Sequence, residues 1–144
     1  MMTINPEGFS TMTPYIIVDD VKEVVRFYQD ALDAKLRLVI PKDSEIKNHA
    51  ELQVGESCFM IGTLPEDSKQ QSSLKLGCSP VSFYLYVDDV HLAFNKAKSA
   101  GMKVTRPIER MFWGDMMGSL IDPFNIQWAI AQYQPDNLPR KQHQ

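Results

Sequence analysis

His49 and Glu51 stand two residues apart in the run His49-Ala50-Glu51-Leu52-Gln53-Val54. On an extended strand that spacing sends both side chains to one face. An imidazole beside a carboxylate makes a general base and the group that orients it. It equally makes a partly solvated polar pair, bonded to Gln53 or to a tyrosine. Tyr15, Tyr84 and Tyr86 have rings that can stack on a guest and hydroxyls that can orient it; the same residues also make a cross-strand aromatic ladder. Phe112-Trp113-Gly114-Asp115 sets two large rings beside a glycine, which reads as an aromatic gate over a cavity or as a buried anchor at a bulge. Cys58 is a candidate nucleophile with no cationic neighbour visible in sequence besides His49, and otherwise an inert small hydrophobe. Met60, Met111, Met116 and Met117 suit an adaptable apolar lining or plain core filling. The chain has neither a Gly-rich phosphate loop nor a Gly-x-Ser-x-Gly elbow, so phosphate-loop and serine-hydrolase chemistry lack support.

These residues are positioned by a repeat. The stretch Thr13-Pro14-Tyr15-Ile16-Ile17-Val18-Asp19-Asp20-Val21 recurs as Ser82-Phe83-Tyr84-Leu85-Tyr86-Val87-Asp88-Asp89-Val90, a shift of 69 (82 minus 13). Held constant and without gaps, the shift carries Ala50 to Ser119, Leu52 to Ile121, Cys58 to Gln127 and Met60 to Ala129. Each copy reads as β-α-β-β-β. In the first, a strand over about 13–18 leads to Asp20 as helix N-cap, with Glu23 in the place of a capping-box partner. Val21, Val24, Val25, Tyr28, Ala31 and Leu32 then give an amphipathic helix to about Ala34. Strands follow at Leu36 to Ile40, His49 to Val54 and Cys58 to Ile61, with a polar loop at 42–48 and a hairpin around Gly55-Glu56. In the second copy the strands fall near 81–87, 103–110, 115–121 and 125–131. Its helix starts at Asp89 and is closed by Gly101 as a left-handed C′ residue. The polar, turn-rich residues 63–80 form a linker, residues 1–11 a loose arm, and the tail after Gln132 a frayed end.

Alternation divides the strand residues between two faces. Ile16, Val18, Ala50, Leu52, Val54, Phe59, Ile61, Phe83, Leu85, Val87, Ile126, Trp128 and Ile130 make an apolar face that the helices must cover. The other face carries Tyr15, His49, Glu51, Gln53, Met60, Tyr84, Tyr86 and Gln127, the mixture expected of a cavity wall with a few orienting polar groups. At 144 residues, 44% hydrophobic and 23% charged, the chain is an ordinary globular domain. A net charge of -3 and a pI near 5.6 exclude the basic stripe that nucleic acid requires. No apolar run reaches the roughly 20 residues of a membrane helix, and no basic, then apolar leader opens the chain. A cytoplasmic protein is expected. Cys58 and Cys78 suggest neither a disulfide scaffold nor a zinc site.

The paired modules resemble the vicinal oxygen chelate superfamily of glyoxalase, bleomycin-resistance and extradiol dioxygenase proteins. The resemblance rests on the Thr13–Asp20 opening with Arg26-Phe27-Tyr28. His49-Ala50-Glu51-Leu52, Val81 to Asp89, Phe112-Trp113-Gly114-Asp115 and Asp122-Pro123-Phe124 are similar to its PhnB-like branch. It covers roughly residues 12–131. The fold this implies is α+β, with two β-α-β-β-β modules forming a cup-shaped incomplete barrel and helices outside. The resemblance also implies one domain, with modules at about 12–62 and 81–131, and a homodimer. Its metal-using members draw ligands from the opening and closing strands of each module, which fall here at Thr13, Met60, Ser82 and Ala129. Two hydroxyls, a thioether and a methyl are not the imidazole or carboxylate donors a divalent ion takes. Relatives commonly have Arg where Met116 stands, His at Tyr84, and Gly-His at Asn125-Ile126.

The expectation is therefore metal-independent capture of a small, partly aromatic or amphipathic ligand, with no cofactor, in sequestration or resistance. Tyr15, Met60, Tyr84, Tyr86 and Trp113 would select the ligand, and His49, Glu51 and Gln127 would orient it. The alternative is a metal-dependent lyase, isomerase or dioxygenase using His49, Glu51 and Asp115 as a displaced ligand set. A dimerising interaction domain with a filled mixed face is a third possibility.

Overall fold

A computed structural model describes residues 4–40 and 48–135. The polar loop expected at 42–48 lies almost wholly outside the described residues, as does the tail from 136 onward. The chain divides into two compact units, Met1–Cys78 and Ser79–Gln144. Each is β-α-β-β-β, so the fold is α+β as the repeat requires.

The first unit contains β1 (Tyr15–Ile17), α1 (Val21–Leu32), β2 (Lys35–Ile40), β3 (His49–Val54), β4 (Ser57–Gly62) and a one-turn helix, α2 (Ser73–Leu76). Its open sheet runs β1-β4-β3-β2, with β1 parallel to β4 and the other pairs antiparallel. The second unit has β5 (Ser82–Tyr86), α3 (Val90–Ala100), β6 (Lys103–Arg110), β7 (Met116–Ile121) and β8 (Gln127–Gln132), ordered β5-β8-β7-β6. The apolar stripe of α1 is buried as its periodicity predicts: Val21, Val24, Val25, Tyr28, Ala31 and Leu32. Burying each of its valines and leucines stabilises by about 1.5–3 kcal/mol. Asp20 and Asp89 cap the two helices by accepting from Glu23 N and Leu92 N. No described helix is long and apolar enough to cross a membrane.

The gap-free shift of 69 does not survive. Leu52 pairs with Leu36 and Phe59; its structural counterpart pairs with Val104 and Trp128, and is Leu120 rather than Ile121. The counterpart of Ala50 is Gly118 rather than Ser119. The β2–β3 and β6–β7 hairpins are thus related by 68 and the remaining elements by 69. Each of β2 and β6 carries a bulge that marks the same correspondence, between Leu36 and Leu38 and between Val104 and Arg106. Two changes cancel. The first is in the helix: α1 has 12 residues and α3 has 11. Tyr28 and Ala97 are equivalent C-terminal acceptors, taking Ala34 N and Met102 N respectively, so α1 encloses one residue more. The second is in the turn, where Val54 pairs directly with Ser57 around Gly55-Glu56. Asp122 N instead bonds Ile126 O across Pro123-Phe124-Asn125, with Asn125 at φ 64. A three-residue turn ending in a left-handed residue is a common hairpin solution.

Two further expectations are corrected. The N-terminal arm is anchored at Phe9, while its other described residues are exposed or half-buried. Phe9 is buried, its N–H bonds Pro6 O, and the Arg37 guanidinium lies 5.8 Å from its ring centroid. Residues 63–80 are not wholly irregular, because Ser72 caps α2 and Gly77, at φ 82, closes it.

Candidate functional site

In the second unit Asp115 organises the mixed face. Tyr84 and Tyr86 leave β5 on the same side, as residues two apart must. They lie next to Ala129 and Ala131 of β8. Those small side chains let the phenols lean across the sheet toward β7. Asp115 sits just before β7, two residues from Met117 and therefore on its face. The carboxylate is fully buried. Its Oδ2 accepts from Tyr84 Oη at 2.8 Å, Tyr86 Oη at 2.9 Å and Trp113 Nε1 at 3.1 Å. Trp113 Nε1 is also 3.1 Å from Tyr84 Oη. A buried carboxylate is costly unless hydrogen-bonded, and these charge-assisted donors meet that need at Oδ2. Met111, Met117 and Ala131 form the buried floor, with Trp113 and Ala129 packed on it.

The polar ends point inward while the rings stay accessible. Tyr84 is 42% exposed, Tyr86 49% and Phe112 86%. The Tyr84 and Tyr86 centroids are 5.2 Å apart, and Phe112 meets Trp113 edge-on at 4.7 Å. Burial pushes the Tyr84 phenol from 10.0 up to about 12. The Trp113 N–H works in the opposite sense, and the Asp115 carboxylate raises it further. The phenol therefore keeps its proton at neutral pH. Phe112–Asp115 is a turn between β6 and β7 rather than a strand bulge: Gly114, at φ 102, donates to Met111 O, and Met111 N to Asp115 O.

In the first unit Tyr15, His49, Glu51 and Met60 come together. Met60 lies beside Tyr15 on β1 and opposite Glu51 on β3. The Tyr15 hydroxyl is 3.2 Å from His49 Nδ1, and His49 Nε2 is 3.7 Å from Glu51 Oε2. The second distance exceeds a hydrogen bond, so Glu51 does not hold the imidazole. Gly62 makes the first contact possible, because a Cβ there would overlap the Tyr15 hydroxyl. Gln127 stands apart from these residues, exposed beside Ser82 and Ile121, and its side chain makes no hydrogen bond to another described residue.

Cys58 does have a cationic neighbour. It is buried, and Arg37 Nη1 donates to its Sγ at 3.0 Å. The bulge in β2 falls at Arg37, a contact across 21 residues that sequence adjacency could not reveal. Asp115 as an anchor was likewise not anticipated; its only sequence signal is a carboxylate two residues after a tryptophan.

A divalent metal does not fit the corners where the superfamily's ligands would fall. Thr13 Oγ1 already donates to Ser10 O at 2.8 Å, and Met60, Ser82 and Ala129 contribute a thioether, a hydroxyl and a methyl. Among the described residues, no three His, Cys, Asp or Glu side chains gather around a common point.

The sequence profile of the Glyoxalase/Bleomycin resistance protein/Dioxygenase superfamily matches residues 9–130. An uncharacterised protein of Mycobacterium bovis is 32% identical over 134 residues, covering 91% of this chain and 87% of its own. Among solved structures, TioX from Micromonospora sp. ML1 is similar in fold, with a TM-score of 0.69 at 21% identity over 87% of this chain and 97% of its own. A PhnB protein from Bacillus cereus aligns with a TM-score of 0.63 at 12% identity, over 86% of this chain and 100% of its own.

Proposed function

The chain belongs to the Glyoxalase/Bleomycin resistance protein/Dioxygenase superfamily, and on that premise we propose that it captures a small aromatic or amphipathic molecule without a metal ion. The observation that carries this reading is the platform of Tyr84, Tyr86 and Trp113. Three polar aromatic side chains converge on one buried carboxylate, which fixes their rings before any ligand arrives. Preorganised rings lose little side-chain entropy on binding. Their O–H and N–H protons are committed to Asp115 and Tyr84. Ring faces and phenolic lone pairs are what remain for a ligand, so recognition is by stacking and by donors on the ligand. Tyr15, His49, Glu51 and Met60 form a second, more polar contact surface. The PhnB-like placement, supported by Phe112–Asp115 and Asp122-Pro123-Phe124, belongs to the same proposal, as does a homodimer.

Native mass spectrometry of protein purified from its source cells tests this reading. A co-purifying organic compound is expected, and its loss in the Tyr84→Ala/Tyr86→Ala double variant places it on the platform. Absence of any compound, with stoichiometric zinc, nickel, manganese or iron that His49→Ala removes, replaces capture with metal-dependent catalysis.

A further inference from the structure

We propose that the end of β5 holds a separate subsite for an organic ammonium group, built around Asp88. A depression of about 580 Å³ opens there, lined by Tyr86, Val87, Asp88, Gln132 and Tyr133. Tyr86 and Tyr133 are each about half exposed. Two phenol rings beside a carboxylate, with no basic side chain in the lining, suit a cation carried on an apolar stem. The positive end of α3 lies nearby, with two of its first-turn N–H groups already bonded. Its Val90 N–H donates to Gln132 Oε1 at 3.1 Å and its Leu92 N–H to Asp89 Oδ1 at 3.1 Å.

The duplication supplies a template. Asp88 corresponds to Asp19, because both precede the helix-capping aspartate and follow equivalent bonds, Val18 N to Gly62 O and Val87 N to Ala131 O. In the first unit the chain fills this position itself. Ser72 Oγ donates to Asp19 Oδ1 at 2.8 Å, and Lys75 Nζ lies 3.7 Å from the same oxygen. Asp19 thus receives a hydroxyl and an ammonium from the α2 segment. Asp88 receives neither: among the described residues nothing hydrogen-bonds or ion-pairs with its side chain, which lines the depression instead. The second unit repeats the carboxylate, adds two aromatic walls and omits the resident cation.

The cation can come from a free small-molecule ammonium or from the side chains of the chain's own Arg140 and Lys141. Nuclear magnetic resonance titration of the full chain tests the subsite and separates the sources. 2-Phenylethylammonium is expected to shift the Gln132 side-chain amide and the Val90 amide saturably. Its half-saturation should lie about fivefold below that of neutral 2-phenylethanol. Asp88→Asn, an exposed and isosteric change, should erase that preference. Tighter ammonium binding in Arg140→Ala/Lys141→Ala assigns the natural cation to the chain itself, and unchanged binding assigns it to a free ligand; both uphold the subsite. Equal affinity for ammonium and alcohol in the parent chain and in that double variant overturns it, as does a preference that survives Asp88→Asn. Tyr86 is shared with the platform, but these signals and the Asp88→Asn comparison lie away from Tyr84 and Trp113. Failure of the platform as the capture site, read in the Tyr84→Ala/Tyr86→Ala variant, therefore leaves the Asp88-dependent preference standing in the parent chain.

Discussion

The two halves use one structural device for different chemistry. In both, an aromatic side chain from the opening strand leans over a small residue of the central strand toward a polar group on the next strand. In the first half Tyr15 passes Gly62 to reach His49. In the second, Tyr84 and Tyr86 lean across β8, beside Ala129 and Ala131, to reach Asp115. The first half ends in a partly solvated Tyr–His–Glu contact. The second ends in a closed arrangement whose donors are already committed. The backbone device was kept after duplication while its terminal group changed. A fully buried carboxylate then required three donors, and a partly exposed imidazole did not.

Packing diverged in the same way. Val25 of α1 corresponds to Phe94 of α3, and Ala50 of β3 to Gly118 of β7. All four are buried. A Cβ on Gly118 would come within 2.5 Å of Phe94 Cε2. The larger helix residue is matched by the smaller strand residue, which keeps the helix-to-sheet spacing workable at interior density.

Three substitutions break or sharpen this comparison. Asp122→Ala has the largest expected effect. Asp122 accepts from Phe124 N at 2.9 Å, Ile126 N at 3.0 Å and Trp128 Nε1 at 2.9 Å, all buried bonds. Its loss leaves those donors without this acceptor and should cost about 3 kcal/mol. Hydrogen exchange should accelerate in β7–β8 while β3–β4, joined by its two-residue turn, keeps its protection. Equal acceleration in both hairpins would end the comparison.

Gly118→Ala comes next, at about 2 kcal/mol from overpacking against Phe94. Pairing it with Phe94→Val copies the first half's combination and should restore much of the loss. Chemical denaturation of the single and double variants should give a favourable coupling of about 1–2 kcal/mol. Additive losses would mean that the two positions do not compensate.

Asp115→Asn is the mildest, because the shape is kept. With the charge removed, the Tyr84 phenol should titrate about one unit below its present value of about 12. Spectrophotometric titration in the near ultraviolet reads this directly. The sign for stability follows. The folded phenol's pKa lies above its unfolded value of 10.0, so its contribution is complete below pH 10 and is lost as pH rises toward about 12. That window should narrow in the variant. An unshifted titration would mean that burial alone sets the phenol.

Much of the architecture was legible because it is local. The period of α1, its aspartate cap, the alternation in β3 and the repeated opening strand all lie within a few residues of one another. The slip between hairpins was not legible. The residue that α3 lacks is regained one strand pair later, and Met116-Met117-Gly118-Ser119-Leu120 has no polar–apolar alternation to fix its register. The anchoring role of Asp115 was not legible because its partners Tyr84 and Tyr86 lie 31 and 29 residues away. Phe9 escaped because one aromatic in a polar stretch carries no period. The expected site residues also separate by unit: Tyr15, His49, Glu51 and Met60 in the first, and Tyr84, Tyr86 and Trp113 in the second. Gln127 joins neither cluster.

The offsetting changes in helix and turn set a rule for anyone recombining the halves. A transplant cut at Asp30 and Ser57, and at Ser99 and Ile126, carries both alterations together and inserts in frame with its facing preserved. A graft of β7 for β3 alone, aligned by residue count, would arrive inside out.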